Sequence, residues 1–179
     1  MLILFPPLYI KGENKIHCVQ LLLVEADTHQ EAIANVESRL EEADWSDWSQ
    51  VGGRWEGMFG DDEPTNALNY SNDPEVFMKW INTFSEYRHT HMKEALAGFE
   101  KGGKTLGEVI DSYDPRVNDF ELGMVGFWIR KIGTLIADYW NNDTAIWDLE
   151  AGTGTLTYLM ERIDKDPKKQ FAVIVDFHF

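Results

Sequence analysis

Between residues 44 and 57 the chain reads Asp44-Trp45-Ser46-Asp47-Trp48-Ser49-Gln50-Val51-Gly52-Gly53-Arg54-Trp55-Glu56-Gly57. Tryptophan, arginine and paired glycine are the residue types that grip flat anions. An indole stacks on a ring. A guanidinium holds a carboxylate or phosphate with two parallel hydrogen bonds. Glycine removes the side chain, so a ligand comes close to the backbone and its N–H groups. The expected ligand is therefore small, flat and anionic, with a nucleotide as the leading guess. Trp48 would stack on the base, Arg54 and the glycine N–H groups would meet the phosphate, and Gln50 would add a hydrogen bond. The expected binding set is Trp45, Trp48, Gln50, Gly52, Gly53, Arg54, Trp55 and Glu56. A structural alternative uses the same residues. The glycines form a bulge, Arg54 pairs with Asp44 or Asp47, and the tryptophans pack against helices. No Lys-Ser/Thr follows the glycines, so this is not a known phosphate loop.

The string Asp47-Trp48-Ser49-Gln50-Val51-Gly52-Gly53-Arg54-Trp55 resembles a D-W/Y-x-x-x-G-G-R-W element of small bacteriophage and bacterial proteins. The resemblance covers that string alone. It implies a phage-related origin. Phage proteins of this size include inhibitors of host defence, some of which sequester signalling nucleotides, and by that analogy of class a counter-defence role is the expectation.

Other chemistries find little support. His89 and His91 stand two apart on an expected helix, about 200° around it, and cannot share a metal ion. There is no His-Glu-x-x-His, and Cys18 is the single cysteine. No metal and no cofactor are expected. Tyr87-Arg88-His89 reads as a helix face with Tyr87 half-buried. Ala151-Gly152-Thr153-Gly154-Thr155 reads as a strand-to-helix turn with Thr153 as N-cap, ahead of a phosphate cradle. No nucleophile elbow occurs. Asp111, Asp114, Asp119, Asp138, Asp143 and Asp148 could pair in space, but 31 acidic residues guarantee chance pairs. Glu56 has no identifiable catalytic partner. No catalytic residue is expected. A binding protein comes first, an acidic and aromatic surface that inhibits a host factor second, and a nucleotide hydrolase third.

The 179 residues carry a formal net charge of −15. Such a surface repels nucleic-acid polymers. The expected partner is a small anionic ligand or a host protein, with no membrane. Met1–Ile10 is apolar but broken by Pro6 and Pro7, too short to span a bilayer. It reads as an edge strand or docking arm. A lone cysteine fits a reducing compartment, and cytoplasmic residence is expected. Oligomeric state is not legible.

The elements that must position these residues follow from periodicity. His17–Ala26 is a strand. Thr28 with Glu31 opens a helix as a capping box, with Ala32, Ile33, Val36 and Leu40 on its apolar stripe. Trp48–Phe59 is read as a strand bent at the glycines, with Val51 and Trp55 on one face and Trp48, Gln50, Arg54 and Glu56 on the other. Asp73-Pro74 starts a helix carrying Phe77, Trp80, Ile81, Phe84 and Tyr87. Gly123–Trp140 is read as a helix, with a hairpin as alternative. Asp61–Asp73 and Asp111–Asp119 read as acidic loops. Ala145–Leu149, Thr155–Ile163 and Phe171–Phe179 then read as strand, helix and strand. Two β–α–β units point to a single α+β domain over 1–179. Its expected form is a ferredoxin-like split βαβ sheet with a mainly helical insertion at 60–142.

Overall fold

The computed structural model describes residues 17–42, 46–60, 66–103, 105–111, 123–140 and 144–178. The N-terminal arm, Asp44, Trp45, residues 61–65 of the first expected acidic loop and residues 112–119 of the second lie outside the described residues; the rest of the first is not all loop, because Ala67–Asn69 forms a strand. The class is α+β. One mixed sheet contains β1 (His17–Glu25), β2 (Trp48–Val51), β3 (Ala67–Asn69), β4 (Ile146–Asp148) and β5 (Gln170–His178). The helices are α1 (His29–Leu40), α2 (Pro74–Lys101), α3 (Leu106–Asp111), α4 (Gly123–Ile136) and α5 (Thr157–Lys165).

The strand order is β2-β5-β1-β4, with β3 also paired to β5. β1 and β2 are both antiparallel to β5, so the first unit is a parallel pair split by one strand. The second unit differs. β4 is parallel to β1 while β5 is antiparallel to it, so β4 and β5 run in opposite senses. A ferredoxin-like sheet needs a parallel split pair in each half, and only the first half has one. Within 60–142 the described residues form α2, α3 and α4 together with one short strand, β3, which belongs to the sheet.

β5 explains the layering. All nine of its residues are buried, so both of its faces must be covered. On one face Phe171, Val173, Val175 and Phe177 join Cys18, Leu22 and Val24 against Ala32, Val36 and Leu40 of α1. Trp140 closes the same cluster by stacking on Trp147, with ring centroids 6.0 Å apart. On the other face Ala172 and Ile174 join Val19, Leu21 and Leu23. Against them pack Phe77, Trp80, Ile81 and Phe84 of α2 and Leu159 and Ile163 of α5. Burying aliphatic and aromatic surface on both faces of one strand is the main stabilising term.

The caps of α1 and α2 are those the sequence signals. Thr28 Oγ1 accepts the Glu31 N–H at 3.1 Å, and Glu31 reaches back to the Asp27 N–H at 2.8 Å. Asp73 Oδ1 accepts the Val76 N–H at 3.0 Å, with Pro74 opening the helix. Gly123–Ile136 is helical, and Arg88 fastens it to α2 by donating to the Leu135 carbonyl at 2.7 Å and pairing with Asp138 at 2.5 Å. Thr153 is not the N-cap of α5. It bridges to Asp148, and its hydroxyl donates to Asp138, while α5 begins after Leu156 without a side-chain cap. Among the described residues no helix is long and apolar enough to cross a membrane.

Candidate functional site

Trp48–Phe59 is not one strand. β2 ends at Val51, and the chain leaves the sheet through the glycine pair. Gly52 has φ 73° and ψ −75°, close to the γ-turn geometry that L-residues avoid, and Gly53 has φ 55°. A short 3-10 turn over Gly53–Trp55 follows. The Gly52 N–H donates to the Ile174 carbonyl at 2.9 Å, and the Ile174 N–H donates to the Asn66 carbonyl at 2.8 Å. The edge strand thus departs at Gly52 and returns at Asn66 opposite one residue of β5, then continues as β3.

The space over both glycines is filled from within the protein. A Cβ on Gly52 would fall inside the Asn66 amide, and one on Gly53 would lie 2.6 Å from Asp176 Cβ. The Arg54 N–H donates to Asp176 Oδ2 at 3.1 Å. The anion at the start of the 3-10 turn is therefore the chain's own carboxylate.

This geometry separates the expected binding residues. Val51 and Trp55 do not share a face: Val51 packs in the α1 layer, and Trp55 in the layer under α2, because the chain reverses between them. Trp55 is buried, and its indole Nε1 has no hydrogen-bond partner among the described residues. Trp48 is 43% exposed, and Gln50, Arg54 and Glu56 are exposed as well. Among the described residues Arg54 has no ion pair, and Asp47 instead faces His178, with Oδ2 3.9 Å from Nδ1. Trp45 lies outside the described residues.

Register brings three further residues to Trp48. His17 opposes His178 across β1 and β5, and Trp48 opposes His178 across β2 and β5. Directly opposed residues point to the same face, as do residues two apart on one strand. His17, Trp48, Asp176 and His178 therefore share the face that carries Ile174, at the end of the sheet. His17 Nδ1 lies 3.0 Å from Asp176 Oδ1, and Asp176 is fully buried. The rings of His17 and His178 meet edge to face at 4.9 Å, and Trp48 lies 6.4 Å from His17. His178 Nε2 is buried without a hydrogen-bond partner among the described residues. The sequence does contain one signal for this group. Asp176 and His178 are polar residues at alternate positions of a strand that is apolar from Phe171 to Val175, a pattern that places them together on one buried face.

No family model, curated protein or solved structure matches this chain. What the corner can do follows from its own groups. A histidine held through Nδ1 by a buried carboxylate has a fixed tautomer and orientation, which suits its other nitrogen to proton transfer. A metal centre is a poorer fit. Among the described residues no three His, Cys, Asp or Glu side chains converge as ligands, and His17 Nδ1 is already engaged.

The other buried ionic group, at the opposite end of β5, is a brace. Arg162 pairs with Asp148 at 2.8 Å and with Glu25 at 3.1 Å, and donates to Gln170 Oε1 at 3.0 Å. Asp148 Oδ1 also accepts the N–H groups of Glu150 and Ala151. A groove of about 260 Å³ lies on the α1 side, lined by Asn35, Arg39, Glu42 and Glu150 among others. None of the residues of the Trp48 corner lines it.

Proposed function

We propose that this protein binds a small, flat, anionic ligand of nucleotide type where β1, β2 and β5 meet. One observation carries the reading: an exposed tryptophan in register with two imidazoles, on the strand whose continuation carries an exposed arginine with no ion pair among the described residues. Trp48 supplies the stacking face and Arg54 the charge. Gln50, on the same strand face as Trp48, is placed for a hydrogen bond. Gly52 and Gly53 serve the site indirectly. They let Asn66 and Asp176 close in, and this sets where Arg54 leaves the sheet. The net charge of −15 disfavours long polyanions and leaves a compact anion as the better partner.

Titration of the purified protein with a panel of mono-, di- and cyclic nucleotides, read by tryptophan fluorescence, tests this. A saturable change that is lost in Trp48→Ala and weakened at least tenfold in Arg54→Ala is expected. Absence of a response to every member of the panel overturns the reading, as does an unchanged affinity in Arg54→Ala.

A further inference from the structure

The His17–Asp176 pair differs from the ionic brace at the other end of β5 in the cation it uses. Asp176 is a fully buried carboxylate, yet its partners are one imidazole nitrogen and one backbone N–H, with no arginine or lysine among them. A buried charge is ordinarily paired with a fixed cation. The Arg162 brace at the other end of β5 does so with a guanidinium. At the Trp48 corner, among the described residues, the side chain on the carboxylate is an imidazole, a group built to carry a proton between partners. The His17 side chain keeps 12% of its surface open, and its Nε2 has no partner among the described residues. It stands beside the exposed Trp48 ring.

We infer that His17 is a proton-transfer residue for metal-independent hydrolysis of a phosphodiester of nucleotide type, with Asp176 as its positioning residue. The inference rests on the ligand reading of the same corner. His17 Nε2 takes a proton from a water molecule as the water oxygen bonds to phosphorus. Asp176 holds the imidazolium that forms. The phosphorus–oxygen bond to the leaving group breaks on the opposite side, its electron pair stays on the leaving oxygen, which takes a proton from solvent water, and Nε2 releases its own proton to solvent. Ester and water give a monoester and an alcohol, and His17 ends as it began. Arg54 offsets charge on the phosphoryl oxygens. His178, packed edge-on at 4.9 Å, fixes the plane of the ring. Sequence motifs name no catalytic residue because this pair spans 159 positions and is assembled by strand register alone.

The test uses the full chain with excess chelator and two probes, bis(4-nitrophenyl) phosphate and 2′,3′-cyclic adenosine monophosphate. Binding is followed separately by tryptophan fluorescence. Expected is turnover of at least one probe that persists in chelator. His17→Gln should lower kcat by about 10²–10⁴-fold with KM little changed. Asp176→Asn should lower kcat and move the acidic limb of the pH profile, which a purely structural loss would not do. If Asp176→Asn fails to fold, His17→Gln and its pH profile decide alone. Binding of the probes without turnover overturns the hydrolytic inference and leaves the ligand reading standing. Turnover that survives His17→Gln removes the assignment to His17, and turnover abolished by chelator removes metal independence. Absence of both binding and turnover overturns both readings.

Discussion

Replacing Gly53 by alanine probes the corner most directly, because Gly57 provides an internal control. Gly53 has φ 55° and Gly57 has φ 75°, so alanine pays a left-handed backbone penalty at both. That penalty is about 1–2 kcal/mol, offset in part by lost freedom of the unfolded chain, about 0.4–1 kcal/mol. A net cost near 1 kcal/mol is expected for Gly57→Ala, where no atom lies within 4 Å of the new methyl group. At Gly53 the methyl meets Asp176 Cβ at 2.6 Å and Oδ2 at 2.8 Å. Asp176 Cβ is anchored to the central strand and cannot swing aside. Overpacking adds about 1–3 kcal/mol, so Gly53→Ala should cost roughly 2–4 kcal/mol, being the sum of about 1 and that range. Urea unfolding measures both, with the midpoint falling at constant m if the native fold is kept. The same displacement of Asp176 should also release the Arg54 N–H and disturb His17. Equal costs for the two variants, within about 0.5 kcal/mol, would refute the claim that Gly53 exists to admit the carboxylate.

Arg162→Met should destabilise by about 3 kcal/mol, the lower end for breaking a buried pair, because Asp148 keeps two backbone donors. Thermal unfolding at neutral pH reads it, and adding Asp148→Asn should recover part of the loss. Leu159→Ala, at a fully buried position under the sheet, should cost about 2–5 kcal/mol in urea unfolding; a loss below about 1 kcal/mol would mean α5 is not part of that core. Desolvation raises Tyr87 above the ordinary 10.0. The folded state therefore resists phenolate formation, and stability should fall as pH rises from the ordinary tyrosine value through the raised one. Spectrophotometric titration of the protein against Tyr87→Phe should show the missing group as the late-titrating one.

Much of the fold was legible because local physics decided it. Thr28 with Glu31, and Asp73 with Pro74, announce α1 and α2 through hydrogen bonds made within four residues. The alternation in Phe171–Phe179 announces β5 in the same way. The sense of β4 relative to β5 was not legible, since it is set by pairing with β1 more than 100 residues away in sequence. The tryptophan-glycine segment misled for a different reason. Val51 and Trp55 are four apart, the spacing of one strand face, but Gly52 and Gly53 turn the chain and send the two side chains to opposite layers. Trp48, Gln50 and Arg54 could be singled out as exposed candidates from residue type. Asp176 and His178 share a strand face by alternation, but His17 could be joined to them only once the β1–β5 register was known.

The outermost strand of the sheet is discontinuous. β2 and β3 contribute four and three residues on either side of the excursion that begins and ends opposite Ile174. A long uninterrupted border of unpaired amides invites a foreign strand to zip onto it. Here the run is cut near its middle, so an incoming chain would meet two short stubs with a loop base between them. The detour that carries Arg54 outward also guards this side of the molecule against self-association through its backbone.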